Sequence, residues 1–208
     1  MQYQGPGDAE VTLFLVFTVA VFGLAGAPRG GSDTTSCKAF FEPGAFSDQP
    51  EADAVMAERL SEALRLLGER PLCELKDAAP TVRILAMPTF GPPRMVRVDS
   101  ATAEAPQLTY AQLSGRGGYE LGTLAGRREF QVHVKDADQL RRHIDTLRRW
   151  LTSRGPQENG GFDGTTWLIE AKTKEGQLAR RAWSPDDDFG VALRAIVALA
   201  GDECGECR

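Results

Sequence analysis

Five short apolar segments in the middle of the chain constrain the fold most, because the loops between them are too short to contain a crossover helix. These predicted strands are residues 81–87, 95–99, 108–113, 119–124 and 129–134, and each intervening loop contains glycine or proline. Parallel neighbours need a connection of about a dozen residues or more, usually a helix. The segments are therefore predicted to pair as an antiparallel meander.

Three amphipathic or apolar helices are predicted around these strands. Apolar residues recur at helical spacing over residues 50–67, 136–151 and 187–200. The first helix ends at Gly68, and the third begins after a proline within a run of aspartates that suits the positive end of a helix dipole.

A final hairpin is predicted over residues 165–184, and its register has two alternatives. A three-residue loop pairs Trp167 with Trp183 and places Arg180 opposite Glu170, whereas a two-residue loop places Arg181 there. We favour the three-residue loop, because it adds a cross-strand contact between the two tryptophans.

These elements predict an α+β fold, with an antiparallel meander sheet of about six or seven strands and two or three helices packed on one face. Residues 1–27 are predicted to be a signal peptide or N-terminal membrane anchor. Residues 28–49 are predicted to be a linker or loop, and residues 50–208 a single α+β domain.

The apolar segment 11–27 is the basis for predicting the compartment. As a helix it would span roughly 25 Å, which is short for a bilayer core, and it ends in small residues that resemble a signal-peptidase site. No lysine or arginine precedes it, and Pro28 follows the expected cleavage point. A cleaved signal peptide is favoured over a retained anchor and over a buried helix. We therefore expect a location in the envelope: periplasmic or secreted, or anchored in the membrane by this segment.

The charge of the chain excludes one class of partner. The chain has 24 lysines and arginines against 29 aspartates and glutamates, which gives a net charge of −5. Binding to nucleic acid normally leaves a basic footprint, and none is present. No phosphate-binding loop, dinucleotide fingerprint or metal-binding motif is found, so no cofactor and no metal are predicted.

Four cysteines, Cys37, Cys73, Cys204 and Cys207, are expected to form two disulfides if the domain is exported. Of the three possible connectivities we favour Cys37–Cys73 with Cys204–Cys207, because the first two flank a predicted helix. The spacing of Cys204 and Cys207 also allows a redox or metal pair. The neighbouring glutamates argue against a reactive thiol, because negative charge raises a thiol pKa.

The candidate ligand-binding residues are in a glycine-rich loop and at the start of the last hairpin. They are Arg116, Gly117, Gly118, Tyr119 and Trp167. Glycines allow a ligand to approach the backbone closely, and an arginine can bind a carboxylate or phosphate. A simple hairpin turn and a core tryptophan are the structural alternatives.

No catalytic constellation can be assembled from the sequence, and no catalytic residue is assigned. A hydrolase that uses His133, Asp163 or Glu170 is the alternative, and it requires two of these groups in one pocket. The aspartates at 186–188 are interpreted as a helix start, since consecutive carboxylates rarely converge on one cation.

The order RGGY, DGTTW, hairpin, WSP and an apolar helix ending in ALAG, over residues 80–201, resembles uncharacterised exported bacterial proteins. The resemblance implies export and no activity. We therefore expect an exported, non-enzymatic binding or accessory protein whose partner is an envelope protein or a small ligand. An envelope hydrolase and a membrane-tethered accessory subunit are the alternatives.

Overall fold

The structure is a computed structural model, and it describes residues 39–41, 45–46, 50–75, 80–153, 161, 163–173 and 176–202. The described residues all lie in one compact unit, Ser36–Arg208. Its elements are α1 (Pro50–Leu66), a 3-10 helix (Leu72–Glu74), β1 (Thr81–Pro88), β2 (Arg94–Asp99), β3 (Gln107–Leu113), β4 (Leu124–Gln131), α2 (Val134–Thr152), β5 (Thr165–Thr173), β6 (Gly176–Trp183) and α3 (Asp188–Asp202).

The six strands form one antiparallel sheet in the order β4-β3-β2-β1-β5-β6. The first four strands are a meander, and the β5–β6 hairpin joins it beside β1. The predicted α+β fold with an antiparallel sheet is thus confirmed. The predicted strand 119–124 is not observed, however: Tyr119 and Glu120 belong to a turn closed by a single bridge between Arg116 and Glu120, and β4 starts only at Leu124.

The register of the last hairpin differs from both predicted alternatives. Gly176 pairs with Thr173, so that Trp167 lies opposite Ala182 and Glu170 lies opposite Ala179. Residues paired across strands share a face, and a shift by one residue turns each side chain to the other face. The observed register places Arg180 over the ring of Trp150 in α2, at 4.2 Å from its centroid.

Helices cover both faces of the sheet, and the central strands are therefore buried on both sides. Val82, Ile84 and Ala86 of β1 face α2 and α3, while the alternate residues Leu85 and Met87 face α1. Two helices thus pack on one face, within the predicted number, and α1 covers the other. Alternation along a strand explains the division, since successive side chains point to opposite faces.

The helices α2 and α3 bury the apolar stripes that the sequence predicts. Leu140, Ile144 and Leu147 are buried along α2, and Phe189 of α3 stacks on Trp150 with the ring centroids 3.9 Å apart. At the start of α3, Asp187 Oδ1 accepts a hydrogen bond from the Gly190 N–H at 3.1 Å, as expected of a helix cap.

Part of the segment predicted as a linker belongs to the core. Phe40, Phe41 and Phe46 are buried against α1, and Asp53 Oδ1 accepts the Phe46 N–H at 2.9 Å. Residues 1–27 and three of the cysteines, Cys37, Cys204 and Cys207, lie outside the described residues. Within the described part of the chain, no helix is long and apolar enough to cross a membrane.

Candidate functional site: a cavity beneath helix α3

A cavity of ≈ 580 Å³ lies between the sheet and α3, at the end of the sheet where β2 and β5 begin. Strands β1, β2, β3 and β5 form its floor and α3 forms its roof. The lining residues are Ala86, Pro88, Arg94, Tyr110, Thr165, Trp167, Arg194, Val197, Ala198 and Gly201.

Strand register explains why the floor is hollow. Ala86 pairs directly with Arg94 of β2 on one side and with Trp167 of β5 on the other. Paired residues share a face, so the methyl group of an alanine stands between an arginine and an indole. The two large side chains flank a space that the small central residue does not fill.

The roof is also built from small residues. Ala198 and Gly201 line the cavity, and a Cβ added at Gly201 would meet no atom within 4 Å. Ala198 is exposed, so the cavity opens to solvent along this side of α3. A ligand of moderate size could therefore enter without displacing a large side chain.

The cavity is positively charged. Arg94 and Arg194 both line it, and none of its described lining residues is acidic. Neither arginine forms an ion pair with any described residue. Arg194 Nη1 donates to the Pro185 carbonyl at 2.8 Å, whereas the buried Arg94 Nε has no hydrogen-bond partner in the described structure.

Tyr110 gives the floor a polar group that stays neutral. Its side chain is 1% exposed, and its hydroxyl donates to Gln112 Oε1 at 2.9 Å. Burial raises the pKa of Tyr110, and the nearby charge of Arg94 partly opposes this change. Because its proton is already donated, the phenol oxygen presents a lone pair rather than a donor to the cavity.

Of the residues predicted to bind a ligand, only Trp167 lines this cavity. Arg116, Gly118 and Tyr119 are exposed in the turn before β4, and Gly117 is buried there. The turn is fixed by the rest of the domain: the Gly117 N–H donates to the Gly91 carbonyl at 2.9 Å, and Arg59 Nη2 donates to the Gly117 carbonyl at 2.9 Å. The glycine-rich loop and Trp167 are thus separate features.

Glu170, one of the candidate catalytic carboxylates, is part of a buried ion network. Arg83 is fully buried and contacts Glu170 Oε2 at 2.7 Å and Glu69 Oε2 at 3.2 Å. Arg97 and Arg127 also pair with Glu69, at 2.7 and 3.0 Å. Complete burial raises the pKa of Glu170, while the charge of Arg83 works in the opposite direction.

The other candidate chemical groups lie outside the cavity. His133 precedes α2 as its N-cap residue, and Asp163 precedes β5; both are exposed. Cys73 is the one cysteine among the described residues; it lies in the 3-10 helix and is not a free thiol. No group of three or more potential ligand residues that could hold a metal occurs in the part of the chain that the structure describes.

Sequence reasoning missed Arg94, Tyr110 and Arg194. The alternation of side chains along β2 could have identified Arg94, because Arg94 shares a face with Val96 and Val98, which are both buried. An arginine at the end of a buried face indicates either an ion pair or a ligand. Which of the two applies depends on the neighbouring strands and on α3, and the sequence does not specify their positions.

No family model matches the chain, and no curated protein matches it. One of the solved structures found by comparison is described as "Mutations in SsgB correlate to longitudinal cell division during sporulation of Streptomyces coelicolor". The identity is 12%, the match covers 62% of this chain and 91% of the other, and the TM-score is 0.19. A similarity this low carries no argument about fold or function.

Proposed function

We propose that the domain is a non-enzymatic binding protein that holds a small ligand in the cavity beneath α3. The observation that carries this proposal is the buried Arg94 Nε, which lines the cavity and has no partner among the described residues. A buried N–H without a partner costs about 1–3 kcal/mol, and a bound acceptor would offset that loss.

The size and lining of the cavity support the proposal. Its ≈ 580 Å³ lies within the range of about 300–1,000 Å³ that is typical of small-molecule sites. Trp167, Val197 and Ala198 supply apolar surface, while Arg94 and Thr165 supply polar groups. Such sites combine mostly apolar walls with a few polar groups that orient the ligand.

Native mass spectrometry of the full-length protein from its own host tests this function. We expect a co-purifying small molecule that is lost in Ala198→Trp, because an indole at this position would fill the cavity. Val191→Trp is the matched control, since Val191 is an exposed residue of the same helix that does not line the cavity. Equal retention of the molecule in both variants, or no bound molecule in the wild type, would contradict the proposal.

We also propose that the protein works in the cell envelope, either released or anchored by residues 11–27. The apolar segment, the even number of cysteines and the resemblance to exported bacterial proteins support this location. Cys73 is not a free thiol, which fits the expected bond between Cys37 and Cys73.

Intact-mass measurement with and without reductant tests the location. A mass for residues 28–208, lower by the hydrogens of two disulfides, would support export with cleavage; the full mass with the same two disulfides would support an anchored accessory subunit. Four free thiols in the native protein would contradict both. No observed geometry favours the hydrolase alternative, because none of its three candidate groups lines the cavity.

A further inference from the structure

We propose that the ligand of this cavity is an apolar organic acid, and that Arg94 binds its carboxylate. The inference rests on the proposed function, because it names the chemical class of the molecule that the cavity beneath α3 holds. It depends on three features of the site: a guanidinium without an ion pair, a single partly desolvated cation, and an apolar wall within reach of that cation.

The first feature is the difference between Arg94 and the three arginines that pair with Glu69 on the other face of the sheet. On the α1 face, Arg83, Arg97 and Arg127 are each paired with Glu69. On the α3 face, Arg94 is partly buried and has no acidic partner among the described residues. A partly desolvated guanidinium without an anion favours binding of one from solution.

The second feature is the number of partly desolvated cations, which suits a single negative charge. Arg94 is partly buried, and it offers the planar donor edge that matches a carboxylate in a bidentate arrangement. Arg194 is exposed, so that solvent screens its charge, and one of its N–H groups donates to the Pro185 carbonyl; the Tyr110 hydroxyl already donates to Gln112. One partly desolvated cation matches one negative charge, so the site favours a carboxylate over a doubly charged phosphate.

The third feature is the apolar wall opposite Arg94. Trp167 and Arg94 lie on strands that flank β1, and strand spacing separates them by about 9–10 Å. One molecule can therefore contact both, with its carboxylate at Arg94 and its body between Trp167 and Val197. Each methylene buried along this path strengthens binding by removing apolar surface from water, which favours an aliphatic or aromatic body.

Calorimetric titration of the full-length protein with three eight-carbon probes tests the inference. Octanoate, octyl phosphate and octan-1-ol share the same body and differ in the head group. We expect octanoate to bind most tightly, and Arg94→Gln to weaken octanoate roughly 10–100-fold while leaving octanol unchanged. Arg128→Gln is the control, because it removes an arginine that is exposed and lies outside the cavity lining.

The outcomes separate the ligand class from the proposed function. If octanol binds as tightly as octanoate, the cavity binds ligands but the acid class is wrong. If octyl phosphate binds most tightly, the head group is a phosphate and the carboxylate assignment is overturned. If no probe binds, the proposed function itself fails. If Arg94→Gln does not fold, the relative affinities of the three probes for the wild-type protein still test the ligand class.

Discussion

Arg83 is the residue on which the electrostatics of the α1 face depend. Its side chain is fully buried, contacts both Glu69 and Glu170, and donates through Nη1 to the Arg70 carbonyl at 2.7 Å. The ring of Phe40 lies 5.4 Å from its guanidinium carbon. A buried ion pair is weak evidence of net stability, but removing one member leaves the other charge buried and unpaired.

We therefore predict that Arg83→Met lowers the free energy of unfolding by about 3–5 kcal/mol, because Glu170 loses its main positive partner. Urea denaturation followed by circular dichroism would measure the change. Arg128→Met is the control, since Arg128 is exposed and has no ion pair among the described residues; it should change stability by less than about 0.5 kcal/mol. Equal stability of the two variants would show that the network is dispensable.

Two glycines allow a matched test of backbone packing. A Cβ at Gly117 would lie 2.8 Å from the Pro88 carbonyl oxygen, whereas a Cβ at Gly126 would meet nothing within 4 Å. We predict that Gly117→Ala destabilises the domain by about 1–3 kcal/mol, because backbone must move to relieve the contact. Gly126→Ala should be neutral or slightly stabilising, since glycine weakens a strand interior. Thermal denaturation would compare them, and similar melting temperatures would contradict this prediction.

At the scale of elements, regular periodicity made the helices and most strands predictable. Helix α2 was predicted within two residues at its start and one at its end, because its apolar residues keep a strict helical spacing. The bounds of β4 were not predicted correctly. Leu124–Gln131 is an edge strand with a largely exposed surface and little alternation in hydrophobicity. Edge strands lack the burial that makes such a pattern visible.

The hairpin register was unpredictable for a different reason. A correct register depends on what lies above the sheet: Arg180 contacts Trp150 of α2, and Ala182 lies beneath the helices. Local turn preferences and the attraction of a Trp167–Trp183 pair contain no information about these distant partners. Glu170 did meet an arginine directly opposite it, but on β1 rather than on β6.

The contact between α2 and α3 is expected to depend on pH through His143. This side chain lines a small cavity of ≈ 50 Å³ with Asp136 and Gln139 of its own helix and with Ala195 and Leu199 of α3. Burial lowers the pKa of His143, and the charge of Arg142 lowers it further. The folded state thus binds the proton more weakly than the unfolded chain does, so this contribution to stability is lost as the pH falls below about 6.5.

We predict that the free energy of unfolding falls on acidification from about pH 7 to about pH 5, and that His143→Gln reduces this slope because the titrating group is removed. Urea denaturation at several pH values would measure both slopes. His133→Gln, at an exposed position before α2, should keep the wild-type slope. Identical slopes in the wild type and His143→Gln would contradict the prediction.

At the scale of the whole molecule, the cavity arises from the way helix α3 meets the sheet. Helix α3 presents Ala198 and Gly201 toward strands that present Ala86 between Arg94 and Trp167. Trp167 could be predicted as a candidate because an indole near a turn can line a pocket, although it packs in the core more often. The cavity lining as a whole could not be predicted, because its residues come from four strands and a helix, and the sequence does not specify how these elements pack.

The most direct test of the central claim is a crystal structure of the full-length protein with 8-bromooctanoate, in which anomalous scattering locates the bromine. We predict the carboxylate within hydrogen-bond distance of Arg94 and the bromine between the sheet and α3, beside Trp167. A bromine peak elsewhere on the molecule, with an empty cavity beneath α3, would contradict the proposed binding site.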